Sequence, residues 1–319
     1  MQYRTLGRTG WRISLLGLGS GGASRLGQGY DLPTSDSVRL VRRALDAGVN
    51  FIDTAPQYGE SEERLGHALR DVPRDQYYIC TKFQPRLRGG AYRSAADLRE
   101  SIQHSLQALQ TDVLDVLYLH GIGPDVYPEV LERYLPELIA ARQAGLIRHI
   151  GITERYPTDH DHSMLQQAIR HGQFDVVMVG YNLLSPSAVT TILPLAAEHN
   201  VGIVVMCAVR KVLVDPTAVA AFVRQWEREG LLTPGTVEPD AALDWLIDDD
   251  TPDVAAAAYK FAAAPVEVGS VLTGTASLGH FEDNLAAVLG TPLPADKFQR
   301  VLDVFGPVQR NVEPAGIGR

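Results

Sequence analysis

The sequence predicts an α/β chain folded as a (β/α)8 TIM barrel, with an N-terminal β-hairpin and an insertion after the seventh strand. Eight short apolar runs recur along the chain, at residues 13–19, 50–53, 77–82, 113–120, 149–153, 175–181, 202–207 and 268–274. They are near-continuous instead of alternating, as expected of parallel strands covered on both faces. Helical patterns separate them. Single strand–helix units span roughly 27 to 37 residues, a spacing that suits a closed barrel.

Taken in order, residues 3–15 read as a hairpin turning at Gly7 and Gly10. Ser35 starts the first helix, whose buried face carries Val38, Val41 and Leu45, and Gly48 ends it. Ser94 precedes a helix lined by Leu98, Ile102, Leu106 and Leu109. Leu131, Tyr134, Leu135, Leu138 and Ile139 follow i, i+3, i+4, i+7, i+8, although Pro136 is expected to kink or restart that helix. Gly145 and Gly172 mark two further helix ends. The interval before the eighth strand is about 30 residues too long for one unit. Its surplus, about 210–250, has helical patterns at 218–229 and 240–247 and a turn at Pro234 and Gly235; Thr251 and Pro252 start the next helix. An insertion after a strand lies at the C-terminal face, where it is expected to cap the substrate pocket. One domain, 1–319, is expected.

The 319 residues are 45% hydrophobic and carry a formal net charge of −9, which argues against a nucleic-acid surface. Cys80 and Cys207 sit in apolar runs and are expected to be buried, reduced thiols. No window approaches 18 apolar residues, and the first residues lack an apolar signal core. The expectation is a soluble, cytoplasmic monomer or weak homo-oligomer without a membrane partner.

Two motifs are set aside. Gly17 to Gly22 matches G-x-G-x-x-G, but the first convincing helix begins only near Ser35, so a Rossmann turn is rejected. Gly19 and Ser20 instead end the first strand, where glycine lets backbone approach a ligand closely. Residues 158–162, TDHDH, lack further ligands at spaced strand ends; they read as a solvated helix start, and no metal is expected.

The chemistry-bearing constellation is distributed. Asp53, Lys82 and His120 end the second, third and fourth strands, and Tyr58 follows the second. A barrel gathers such positions on one face. Lys82 emerges from a dry wall and needs a counter-charge, for which Asp53 on the next strand is the candidate. The cation is expected to lower the Tyr58 phenol from about 10, fitting it for proton transfer. His120 is placed to orient the same oxygen.

These residues, with YRTLGRTGWRIS, NFIDTAPQYG, SEERLGHAL and LDVLYLH, resemble the aldo-keto reductase superfamily over nearly the whole chain. The resemblance implies a (β/α)8 barrel and a nicotinamide cofactor, with Asp53, Tyr58, Lys82 and His120 as catalytic tetrad and the tyrosine as acid or base. It also implies cofactor contacts from Thr153 and Glu154 after the fifth strand, where the family has Ser-Asn. Met178 stands where the family has Gln, near Tyr181, and Ala208 where a stacking aromatic is usual. Gly274, Thr275 and Ser277 match the phosphate segment, Asp283 and Asn284 the adenine side. His280 stands at an arginine position used for the 2′-phosphate, so NAD is the expected cofactor, with NADP possible through Arg210 and Lys211. The chain looks most like the aldose 1-dehydrogenase branch, which includes L-galactose and L-fucose dehydrogenases. That implies NAD-linked oxidation of a sugar at C1. The alternatives are a reductase of aldehydes or ketones and a nucleotide-sensing barrel with little turnover.

Overall fold

Apolar runs with no polar face need cover on both faces, and here a closed barrel ringed by helices supplies it. The computed structural model describes residues 1–87 and 89–310; the last residues of the expected domain, 311–319, lie outside these. A two-stranded antiparallel hairpin, β1 (Tyr3–Thr5) and β2 (Arg12–Ser14), opens the chain. Eight parallel strands then close a barrel: β3 (Leu16–Gly19), β4 (Phe51–Asp53), β5 (Tyr78–Phe83), β6 (Leu114–Ile122), β7 (Ile147–Glu154), β8 (Val176–Gly180), β9 (Gly202–Met206) and β10 (Val268–Thr273). The run 13–19 is thus split between the hairpin and the first barrel strand. β10 pairs with both β3 and β9, which leaves no sheet edge.

The helices are α1 (Thr34–Asp46), α2 (Ser61–Leu69), α3 (Ala95–Ala108), α4 (Tyr127–Gln143), α5 (Ser163–His171), the short α6 (Ala188–Thr191) and α7 (Leu193–Glu198), α8 (Pro216–Arg228), α9 (Val254–Ala263), α10 (Leu278–Leu289) and α11 (Ala295–Phe305). Ser94 caps α3 in a reciprocal box with Asp97. α1 begins one residue earlier than expected, after Pro33, and Asp253 caps α9 where Thr251 and Pro252 were expected. α4 runs unbroken through Pro136.

Two cores result. One lies between barrel and helices. The other fills the barrel with Phe51, Cys80, Val116, Tyr118, Val176, Met178 and Val204, closed below by Leu6 and Ile13 of the hairpin. The hairpin is fastened to strand starts: Arg4 Nη1 donates to Pro265 O (2.6 Å), and Ser14 N to Asn50 Oδ1 (2.7 Å). With the N-terminal mouth plugged, a ligand can enter only where the strands end.

In the insertion, Asp215 caps α8 by accepting from Thr217 N and Ala218 N. Trp226 packs on Phe305 of α11 with ring centroids 6.4 Å apart, and Lys297 of α11 donates to Leu246 O (2.8 Å). The helix expected over 240–247 is two short 3-10 turns, Pro239–Ala241 and Asp244–Leu246. No helix among the described residues is long and apolar enough to cross a membrane.

Candidate active site

Strand register decides what meets at the open end. Gly19 lies level with Asp53, Asp53 with Cys80, and Lys82 with Tyr118. Lys82 therefore stands two residues beyond the level of Asp53, and its long side chain bridges the gap. Nζ donates to Asp53 Oδ2 (2.5 Å) and to the carbonyl of Thr54 (2.7 Å). The pair is almost fully buried, Lys82 at 1% and Asp53 at 3% exposed. Burial works against the ammonium, but the Asp53 carboxylate and Tyr58 more than offset it and hold Lys82 above its ordinary value. Burial pushes the Asp53 carboxyl up while Lys82 pulls it back.

Tyr58, in the turn Pro56–Tyr58, places its ring 5.0 Å from Lys82 Nζ and edge-on to His120, with centroids 6.0 Å apart. The structure thus brings all four residues together. It differs from expectation on the phenol, which is raised above its ordinary value. Burial is the largest cause; Lys82 pulls down, and the Asp53 carboxylate pushes back up. The expectation counted the cation and left out the cost of burying a phenolate.

His120 is held well below its usual value, at about 3, by burial and by Lys82. Its Nδ1 lies 3.4 Å from Gln57 Oε1, so its partner is the residue before Tyr58. A neutral imidazole through the working pH range follows. An unfolded chain protonates this histidine near 6.5 and the folded chain only near 3, so unfolding binds a proton in between and stability rises with pH across that window. Wild-type protein is expected to lose up to a few kcal/mol between pH 6.5 and 4 that His120→Asn does not lose, read from urea midpoints; parallel losses in both would refute the assignment.

Around this cluster several buried polar atoms have no hydrogen-bond partner among the described residues: Asp53 Oδ1, Ser20 Oγ and Thr54 Oγ1 at the ends of β3 and β4, and Tyr118 Oη below. Such atoms point to a guest that supplies partners. Tyr118 was not singled out from sequence. Its ring lies 6.0 Å from Lys82 Nζ and fills space that Gly151 leaves by lacking a Cβ.

On β7, Thr153 Oγ1 accepts from Gly121 N (2.8 Å), which leaves its hydroxyl proton available. Glu154 is not available. Oε1 accepts from Gly180 N (2.7 Å), and Oε2 lies 2.7 Å from His162 Nδ1, both side chains being fully buried. The motif 158–162 does start a helix and exposes Thr158 and Asp161, but Asp159 and His162 are buried where solvent was expected. His162 Nε2 bonds Ser187 Oγ (2.9 Å), and buried Asp159 accepts from Ser163 N and Met164 N. Among the described residues no group of acidic, His and Cys side chains has the arrangement of a metal site.

Met178 faces the barrel interior, whereas the buried Tyr181 points outward onto Phe261 of α9, centroids 5.0 Å apart, and is no stacking surface. Ala208 is buried just past β9; the strand-end side chain that packs on the interior cluster there is Met206, missed because no aromatic marked the position. Cys80 is buried, but Cys207 is only half-buried, with φ +62 and Arg210 Nη1 3.3 Å from its sulfur; neither cysteine is in a disulfide.

At the end of β10, Gly274 lies beside the carbonyls of Gly19 and Gly21. Thr275 Oγ1 accepts from Ser277 N (3.0 Å), and Ser277 caps α10 by accepting from His280 N (3.3 Å). Asn284 Nδ2 donates to Thr273 Oγ1 (2.8 Å), and Asp283 is exposed. The cation the fold brings to this helix, Arg43 of α1, is paired with Glu282 at 2.6 Å.

The aldo/keto reductase family model matches residues 16–304. L-galactose dehydrogenase from Arabidopsis thaliana is 30% identical over 329 aligned positions, covering 99% of this chain and 98% of that protein. D-threo-aldose 1-dehydrogenase from a Pseudomonas species is 31% identical over 61% of this chain and 65% of its own length. Among solved structures, the holo form of an aldo-keto reductase from Bacillus halodurans superposes with a TM-score of 0.71 at 23% identity, covering 99% of both chains, a likeness of fold.

Proposed function

Since this chain belongs to the aldo/keto reductase family and is an oxidoreductase of carbonyl and alcohol groups, we propose that it is an NAD-linked aldose dehydrogenase with Tyr58 as its acid–base residue. The observation that carries the proposal is the cluster itself: a phenol beside an ammonium buried against a carboxylate, at the open end of a barrel plugged at its other end. The sugar follows from the relatives, two of which are named as dehydrogenases of L-galactose and of D-threo-aldoses.

The residues present fit a nicotinamide dinucleotide. Unpartnered Ser20 Oγ and Asp53 Oδ1 offer polar contacts at the reactive end, and Thr153 has a proton to give a carboxamide oxygen. Gly274, Thr275, Ser277 and the first turn of α10 suit the phosphates, with His280, Asp283 and Asn284 beyond. Bound there, the nicotinamide supplies the hydride acceptor or donor. Tyr58 takes or gives the proton of the sugar oxygen, Lys82 compensates charge on the phenol, and neutral His120 holds that oxygen in line. The 210–250 insertion follows the open end of β9 and caps the substrate pocket, and the chain works as one catalytic domain.

NAD preference rests on the adenine end. The chain has no Lys or Arg between Lys260 and Lys297, Arg43 is paired with Glu282, and a 2′-phosphate without a cation binds poorly to a chain of net charge −9. NAD is expected to bind at least about tenfold more tightly than NADP, a gap of about 1.4 kcal/mol, in a fluorescence titration; equal affinities would refute the preference. A panel of aldoses with NAD, followed by NADH formation, tests the activity. A second reading, reduction of an aldehyde or ketone, has one observation behind it. A phenol raised above its ordinary value stays protonated at neutral pH and is ready as an acid. Oxidation, which needs the phenolate, then gains rate as pH rises toward that value; reduction loses it. Cofactor binding without turnover of any sugar or carbonyl would leave a nucleotide sensor.

A further inference from the structure

The segment between β3 and α1 wraps over the turn that carries Tyr58, and one side chain makes most of the bonds between them. Gln28 Nε2 shares its protons among the carbonyl of Tyr58 (3.2 Å), Ser61 Oγ (3.0 Å) and the carbonyl of Arg25 (2.9 Å). Its Oε1 accepts from Glu60 N (2.8 Å). Ser61 Oγ lies 3.0 Å from the same Tyr58 carbonyl and 3.1 Å from that of Ser20, so one hydroxyl joins the turn to the end of β3. The backbone of the segment also abuts the phenol. A Cβ at Gly21 would stand 2.7 Å from Tyr58 Cε2, which is why only glycine fits there. Gly59, at φ +67, leaves room for the Gln28 amide in the same way.

The segment does not take this path unaided. Arg25, Leu26 and Gly27 are successive left-handed residues, with φ of 41, 54 and 95, and such a run persists only where its surroundings impose it. Arg64 of α2 donates to Ser37 Oγ (2.9 Å) and to the carbonyl of Leu32 (3.0 Å), while Ser37 of α1 donates to the carbonyl of Leu26 (2.5 Å). Two helices thereby deliver Gln28 to the turn.

We propose that Gln28 is a positioning residue for Tyr58, locking the backbone of its turn against the loop after β3 so that the phenol is held at its working distance. The proposal rests on the acid–base reading of Tyr58 given above. Gln28 touches the Tyr58 carbonyl and not the phenol oxygen, so it acts through the placement of the turn.

The test uses the full chain with NAD and the best aldose of the panel. Gln28→Leu is expected to lower kcat about ten- to a hundredfold, with KM for the aldose and Kd for NAD within about threefold of wild type, and to displace the pH profile of kcat. Gln28→Glu keeps the acceptor for Glu60 N but loses the amide donors; it is expected to lose kcat likewise and serves where the leucine variant fails to fold. In a Tyr58→Phe background neither change lowers the residual rate further. Wild-type kcat in Gln28→Leu and Gln28→Glu, beside a nearly inactive Tyr58→Phe, would overturn this inference alone. The same kcat loss repeated in the Tyr58→Phe background would also overturn it, because a general structural defect does not depend on the phenol. Normal turnover by Tyr58→Phe would overturn the acid–base reading, and the inference with it.

Discussion

Tyr58→Phe is expected to lower kcat about 10²- to 10⁴-fold, the usual worth of a positioned acid or base. The change removes one oxygen and keeps the ring, which abuts Gly21, meets the edge of His120 and lies 5.0 Å from Lys82 Nζ. Packing is therefore retained, and NAD affinity and the melting temperature are expected to stay at wild-type values. Since the hydroxyl acts on the reacting oxygen and not on bound substrate at large, the loss falls on kcat and kcat/KM together. Steady-state kinetics beside an NAD titration checks this. A variant that turned over normally would transfer the acid–base role away from Tyr58.

The second large effect is on stability. Asp53→Ala leaves the Lys82 ammonium 1% exposed with the Thr54 carbonyl in place of a full counter-charge. Removing one partner of a buried pair costs about 3–5 kcal/mol, to be read as a lower urea midpoint at unchanged slope. The deficit is expected to shrink as pH rises, because a stranded ammonium prefers to lose its proton and its folded pKa then falls below the unfolded one. Replacing both residues, Asp53→Leu with Lys82→Met, is expected to recover most of the stability and none of the activity. A stable Asp53→Ala protein with a pH-independent midpoint would mean that the pair is not the electrostatic unit described here.

The fold was legible because parallel strands covered on both faces must be apolar throughout. Each of the eight runs became a strand or part of one, and the excess length before β10 marked an insertion. The tetrad was legible for a related reason: strand-end residues of a barrel share one face, whatever their separation in sequence. What stayed hidden depended on partners. Glu154 was expected to meet a cofactor amide, but both its oxygens go to Gly180 N and His162. His162 was expected in solvent and is buried, since a five-residue polar string says nothing about what packs over it. Tyr181 turns to the helix layer, onto Phe261. Gln28 carried no signal, being one polar residue in a glycine-rich loop.

The sequence by itself determined the barrel, its direction and the residue types that line its open end, because periodicity and hydrophobic burial are local properties summed along the chain. Only the tertiary structure decided which charges neutralise one another. It buries the Tyr58 phenol, which holds it above its ordinary value against the pull of Lys82, and it sets Asp53 against that cation. It gives Glu154 to His162 and Arg43 to Glu282. Electrostatic balance depends on distances between residues far apart in the chain, and those distances exist only once the barrel has closed.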